Sequence, residues 1–484
     1  MEQQIHITLQ FHLATGKVNL NEIVYRLQQL KNPLMLQILE QVLRSYDDLI
    51  SERLSHHGGV FPPSKARKGL GRHIRKSEPD KRFCHGRRIR RRGYRNHPRT
   101  ISTVFGKLKL PIRVAECCTC GARYSPLLDA LKMMPYSRKE SNFEHEVIEA
   151  VIDTNYRRLI EGRSIDISLG GIHNLVVGSD IDQLDEVAVD IDDLSAIMAD
   201  GTGYKRQKGK KGELRSVIGI TTTGQVEPLG TFANTQWSDI EQIIKERFKE
   251  TKASGIPFIY DGEPGLDNFL SEVAESQRCV WHGPRGLYHS LWEDGLKKKQ
   301  SQPQINNLKH LIGIELPQTD YELIKDQDRQ AVEQKYKSSK DEINELINVF
   351  KEKGYYHGAE YLENMSRRIF TNIEIWLKTG VIAPKTTSLL ERIFREIGRR
   401  IKRIAWGWSD ATVSKLSQMI ILKKYSKEKW EKYWKQKLGI DGHFSIRILF
   451  AESSACHNSR FLVNLNCPFV WPSAAPAVLD IHHY

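Results

Sequence analysis

Leu194-Ser-Ala-Ile-Met-Ala-Asp200 and Ile256-Pro-Phe-Ile-Tyr-Asp261 are two short apolar runs, each closed by an aspartate. Runs of this length read as buried strands, and both carboxylates are expected to emerge at strand ends. Working outward, Leu214-Arg-Ser-Val-Ile-Gly-Ile220 and Val226 to Phe232 flank a turn at Gly224, so the first run continues into a three-stranded meander. Ile240, Ile243, Ile244 and Phe248 carry a helical period towards the second run, and Leu266, Phe269, Leu270 and Val273 predict a further helix after it. Cys279-Val-Trp-His282 reads as a short strand or its end, and Leu389-Leu-Glu391-Arg-Ile-Phe-Arg-Glu396-Ile as a helix.

Three antiparallel strands followed by strands alternating with helices match a ribonuclease-H-like α/β fold. The core is expected over 191–297 and 386–425. Between them, at 298–385, Ile343, Leu346, Ile347 and Phe350 have the spacing of a buried helical face, which predicts an all-helical insertion. Ahead of the core lie a helical region (1–62), a basic, cysteine-containing region (63–136) with short β-like segments, and a segment (137–190) patterned like a helix-turn-helix. In that last segment one long helix from Glu146 through Ile160 precedes a second that Ser168 would cap; a plain helical hairpin fits equally well. A basic, aromatic-rich helix and an irregular tail fill 426–484.

The 73 Lys and Arg against 59 Asp and Glu give a net charge of +14, which favours a polyanionic partner. Double-stranded DNA is the first candidate, through Arg87, Arg88, Arg90, Arg91, Arg92 and Arg95; such a run is otherwise simply solvated. No apolar run is long enough to span a membrane and Met1-Glu-Gln-Gln-Ile lacks the start of a signal peptide, so a cytoplasmic protein without membrane contact is expected. The 7 cysteines, an odd number without export signals, are expected to be reduced. Cys117-x2-Cys120 resembles one knuckle of a zinc ribbon, for which Cys84 is the nearest further ligand, making Cys84, Cys117 and Cys120 candidate Zn2+ ligands. A metal-free hairpin is the alternative.

Taken in order, Ala199-Asp200-Gly-Thr, Tyr260-Asp261-Gly-Glu-Pro-Gly, Cys279-x2-His282 and Leu390-Glu391-Arg-Ile-Phe-Arg-Glu resemble the DDE transposases of Mutator-like prokaryotic insertion sequences, over residues 190 to about 425. The resemblance implies that Asp200, Asp261 and Glu391 are catalytic and hold two Mg2+ (or Mn2+) ions for in-line displacement at phosphorus. It implies that Cys279 and His282 form a signature close to the site. It also implies partners: terminal inverted repeats, target DNA and further copies of the chain, in a prokaryotic nucleoid.

Helical periodicity alone leaves Glu391 and Glu396 tied, about 140° apart around the helix; the family pattern, a Glu directly before an Arg near the helix start, selects Glu391. Arg392, Arg395, Arg399, Arg400, Lys402 and Arg403 are expected to ring the exposed surface, where they either grip phosphate, with Arg395 and Arg399 as DNA contacts, or merely solvate the helix, and Trp406 and Trp408 either stack on an unpaired base or anchor the core. Two other functions are compatible with the same residues: a DNA-binding protein whose catalytic site is dispensable, and a nuclease that hydrolyses without joining.

Overall fold

The computed structural model describes residues 20–57, 89–117, 123–131, 133, 137–162, 165–181, 188–248, 255–317, 326–402, 407–439, 447–450 and 461–464. The chain divides into two compact units, Met1–Ile172 and His173–Tyr484, and the division falls inside the segment read as a linker.

In the first unit a long helix, α1 (Leu20–His57), accompanies five short strands: β1 (Ile89–Tyr94), β2 (Arg99–Thr103), β3 (Gly106–Leu110), β4 (Arg113–Cys117) and β5 (Arg123–Tyr124). Strands β2 and β3 form a hairpin, and β1-β4-β5 a separate antiparallel sheet. The hairpin alternates as a half-buried pair should, turning Ile101, Leu108 and Leu110 inward against Leu36, Leu39, Leu43 and Ile50 of α1. A part-buried charge pair ties β4 to α1 as well: Arg113 Nε donates to Asp47 Oδ2 at 2.9 Å. After α2 (Pro126–Ala130), the single helix expected from 146 to 160 is instead two, α3 (Ser141–Asp153) and α4 (Tyr156–Gly162). Thr154 is extended (φ −133°) and Asn155 Oδ1 accepts from the Arg158 N–H at 2.8 Å, so these polar residues stop one helix and start the next. Ser168 does cap α5 (Leu169–Val177), accepting from the Gly171 N–H at 3.0 Å.

The second unit is built on a five-stranded mixed sheet of β6 (Leu194–Lys205), β7 (Lys211–Thr221), β8 (Val226–Ala233), β9 (Pro257–Tyr260) and β10 (Glu275–Arg278), in the order β10-β9-β6-β7-β8. The first three form the antiparallel meander, and β9 and β10 add parallel to β6. Helix α6 (Trp237–Arg247) covers one face through Trp237, Ile240 and Ile244, which join Ile197, Ala199, Val217, Phe258 and Tyr260 in one core. The helix expected at 266–273 is not α-helical: Pro264–Leu266 is a single 3-10 turn, and Leu270 takes a positive φ of 55°, which interrupts helical hydrogen bonding.

Every described element between β10 and the Glu391 helix is helical: α7 (Gly283–Glu293), α8 (Lys298–Ile312), α9 (Asp326–Glu352), α10 (Tyr356–Ser366) and α11 (Thr371–Thr379). They share a core of their own, with Leu287, Leu291, Ile343, Phe350, Leu362 and Trp376. The chain then enters α12 (Ser388–Ile401), α13 (Asp410–Tyr425) and α14 (Lys427–Leu438). Among the described residues no helix is long and apolar enough to cross a membrane.

Candidate functional site

Asp200 is not at a strand end. β6 runs on to Lys205, but it pairs with β9 only at Ile197 and Met198, so beyond those residues β7 is its one ladder partner. Asp200 therefore lies where the central strand leaves its parallel neighbour. The emerging hairpin is anchored at its tip, where Arg206 makes a two-pronged pair with Asp410 (2.8 and 2.6 Å) and the Trp408 N–H donates to the Lys205 carbonyl at 2.9 Å. Asp261 follows β9 directly. Its Oδ1 accepts from the Glu263 N–H at 3.0 Å, a turn that fixes the carboxylate at the end of the strand.

The glycine after Asp261 is required twice over. Gly262 has φ +109°, and a Cβ there would lie 2.2 Å from the Arg278 guanidinium carbon. Arg278 is buried and lies over the rings of Tyr260 and Tyr361 at 5.4 and 5.8 Å, contacts that its guanidinium would have to give up to make room. Gly262→Ala is accordingly expected to cost about 2–3 kcal/mol of stability, read as a lower urea midpoint at unchanged slope.

Glu391 sits in the first turn of α12, its N–H donating to the Thr387 carbonyl at 3.1 Å and its Oε1 lying 3.5 Å from His282 Nε2. His282 caps α7, and Cys279 directly follows β10. Thr387 joins the pair: its N–H and hydroxyl reach Cys279 Sγ at 3.4 and 3.5 Å, and the hydroxyl lies 3.4 Å from His282 Nδ1. The Cys-x2-His signature and the start of the Glu391 helix are thus one bonded assembly. Hydrogen bonding to Cys279 holds the His282 imidazole above its ordinary pKa against the effect of burial. Burial pushes the Cys279 thiol up, but the bonds from His282 and Thr387 outweigh it and leave it low.

Burial and the negative charge of Asp261 together push the Asp200 carboxyl up to about 7. Glu396, in contrast, turns away to Arg399 (2.5 Å) and Lys424 (3.0 Å), which hold it below the usual carboxylate range. Asp200, Asp261, His282 and Glu391 are therefore mutually influencing, and Glu396 belongs to a surface ion pair. No three His, Cys, Asp or Glu side chains among the described residues already close around a point as in a rigid metal centre. The donor set nonetheless fits a hard divalent cation: it is carboxylate oxygen, it is buried at Asp200, and the repulsion that lifts Asp200 is what a cation would relieve.

Thr387 escaped the sequence reading because a Thr before a helix signals an N-cap; here its side chain makes no cap bond and serves Cys279 and His282 instead. Lys402 Nζ, which reaches Thr202 Oγ1 at 2.8 Å, left no sequence signal beyond its charge. Arg400, expected on the exposed ring, is buried against Trp408 at 5.6 Å because it follows Ile393 and Ile397 on the apolar face of α12. Trp408 is likewise a core anchor, donating its indole N–H to the Ile401 carbonyl at 2.9 Å. Trp406 and Arg403 lie outside the described residues.

In the basic region Cys84, Cys120, Arg87 and Arg88 are outside the described residues, and Cys117 ends β4, so the zinc expectation falls there too. Arg90, Arg91 and Arg95 are exposed on or after β1. Arg92 is committed to Glu116 at 2.8 and 3.0 Å, and with Arg123 it pulls that carboxyl down to about 2. On the expectation of a DNA partner, Arg91→Ala should reduce the salt dependence of binding by roughly one phosphate contact, whereas Arg92→Ala, already neutralised within the sheet, should change it little; fluorescence anisotropy over a salt series reads both. Arg395 is exposed, and Arg399 is shared with Glu396.

No protein-family model and no curated protein matches this chain. Among solved structures, the strand transfer complex of the Drosophila P element transposase is similar at 12% sequence identity, covering 61% of this chain and 81% of that one, with a TM-score of 0.21. A score that low carries no weight for the fold or the chemistry.

Proposed function

We propose that the second unit is a ribonuclease-H-like, metal-dependent phosphoryl-transfer centre, and that the chain acts on DNA as a transposase of the Mutator-like insertion-sequence type. The observation that supports this is the charge of Asp261 and Glu391 felt at the buried Asp200 carboxyl, with Asp200 on the central strand, Asp261 at the end of its parallel neighbour, and Glu391 beside His282. A meander extended on one side by two parallel strands, and a helical block between β10 and α12, support this reading.

Asp200, Asp261 and Glu391 would hold the divalent cations, which when bound activate the attacking oxygen and stabilise the leaving 3′-oxygen. Asp200 is ionised only as the pH rises through about 7, so the site is ready for a cation in neutral to alkaline solution. His282 fixes Glu391, and Thr387 fixes His282. Arg278, wedged beneath Gly262, sets the position of the Asp261 turn. The basic residues Arg90, Arg91 and Arg395 suit them to the phosphate backbone, and handling two element ends together calls for more than one copy of the chain. The test is joining: 3′-hydroxyl ends carrying the flanks of the native locus are incubated with supercoiled plasmid and Mg2+. Covalent joining supports a transposase. Cleavage without joining makes the protein a nuclease, and end binding without cleavage makes it a DNA-binding protein.

A further inference from the structure

Trp281, Trp292 and Tyr356 are 61%, 65% and 68% exposed, the three most exposed large aromatic side chains among the described residues. Trp281 and Trp292 flank the two ends of α7, and Tyr356 opens α10 beside the C-terminal end of α7. Trp281 precedes the α7 cap and meets the His282 ring edge-on at 5.1 Å, beside the acidic centre. Trp292 lies near the other end of α7, about 15 Å further along at 1.5 Å per residue. Tyr356 is brought there by Asp294, at the C-terminus of α7, which accepts from the His357 and Gly358 N–H groups at 3.0 and 2.8 Å.

The opposite face of α7 explains its stability but not these aromatics. Leu287 and Leu291 are buried in the helical core, and Gly286 allows Tyr361 to approach, whose hydroxyl donates to the Gly283 carbonyl at 2.9 Å. Arg285, His289 and Trp292, at the spacing of one helical face, are all exposed, and exposed Lys297, Lys298 and Lys299 follow. Arg285 has no ion-pair partner among the described residues. An apolar protein partner would bury a continuous patch, but here cations separate the rings. Duplex DNA hides the faces of its bases, whereas unpaired bases present both a π-face to each ring and a phosphate to each cation.

We propose that this face of α7 binds unpaired DNA beside the acidic centre, with Trp281 and Trp292 as stacking platforms and Arg285 and Lys298 on the backbone. The proposal rests on the transposase reading for the identity of the ligand as DNA. It is tested on the full chain in EDTA, so that no cleavage occurs, by anisotropy of a short fluorescein-labelled oligothymidylate and of a blunt duplex of equal length. Trp281→Ala and Trp292→Ala should each weaken binding to the single strand roughly tenfold while leaving duplex binding and melting temperature unchanged, and Trp281→Phe should restore most of the loss. Ala variants that bind the oligothymidylate as tightly as the wild type, or that lose duplex binding to the same degree, would overturn it. Because the assay needs no metal, a wild type that never cleaves DNA yet shows this pattern would sink the transposase reading and leave the single-strand site standing.

Discussion

Asp200→Asn should melt several degrees above the wild type at about pH 8 in the absence of divalent cations, and should have no cation-dependent activity. The reason is the environment of the carboxylate. Asp200 is 9% exposed and faces the charge of Asp261, which together lift its pKa from 3.8 to about 7. A carboxyl whose folded pKa is raised holds its proton more tightly in the folded chain than in the unfolded one. Its stabilising contribution is complete below about pH 4 and is lost as the pH rises through about 7. Above that, the ionised group costs the folded state on the order of 3–4 kcal/mol. Asn keeps the shape and removes the charge. Melting curves in EDTA should therefore separate the two proteins at about pH 8 and bring them together at about pH 4, and Mg2+ should raise the wild-type midpoint only. A variant no more stable than the wild type at about pH 8 would mean that burial and the charge of Asp261 do not hold the Asp200 carboxyl up.

Glu391→Gln and Glu396→Gln should differ by at least about 100-fold in cleavage rate. The two residues are five positions apart on α12, yet their surroundings divide their roles. Glu391 lies beside His282 and its charge acts on Asp200, and its replacement removes one carboxylate charge from the proposed centre. Glu396 is paired with Arg399 and Lys424 on the surface, and such a pair is worth about 1 kcal/mol or less. Single-turnover rates at saturating Mg2+, with melting curves to confirm folding, compare them directly. Equal loss in both variants would remove Glu391 from the centre.

The strands of the sheet are legible because burial leaves a plain mark: apolar runs of strand length. Even so, the extension of β6 past Asp200 was hidden, since Gly201-Thr-Gly203-Tyr-Lys205 is neither apolar nor alternating and is held by pairing to β7 and by the Arg206–Asp410 contact. The false helix at 266–273 came from apolar spacing that the positive φ of Leu270 breaks. For Glu391 against Glu396, periodicity gave no answer, because the deciding facts are contacts with His282 and Lys424 made across the fold. Exposure is equally invisible in a string of letters: Trp408 and Trp281 look alike there, and only packing makes one a core anchor and leaves the other facing solvent.

Asp200, Asp261 and Glu391 are proposed to form one cation-dependent centre that cuts DNA. The most direct measurement is cleavage of end-labelled DNA carrying the flanks of the native locus, with and without Mg2+, by the wild type and by Asp200→Ala, Asp261→Ala and Glu391→Gln. Cation-dependent cleavage by the wild type and its loss in all three variants is the expected result; cleavage that persists in any of the three, or a wild type that binds these ends and leaves them intact, would contradict it.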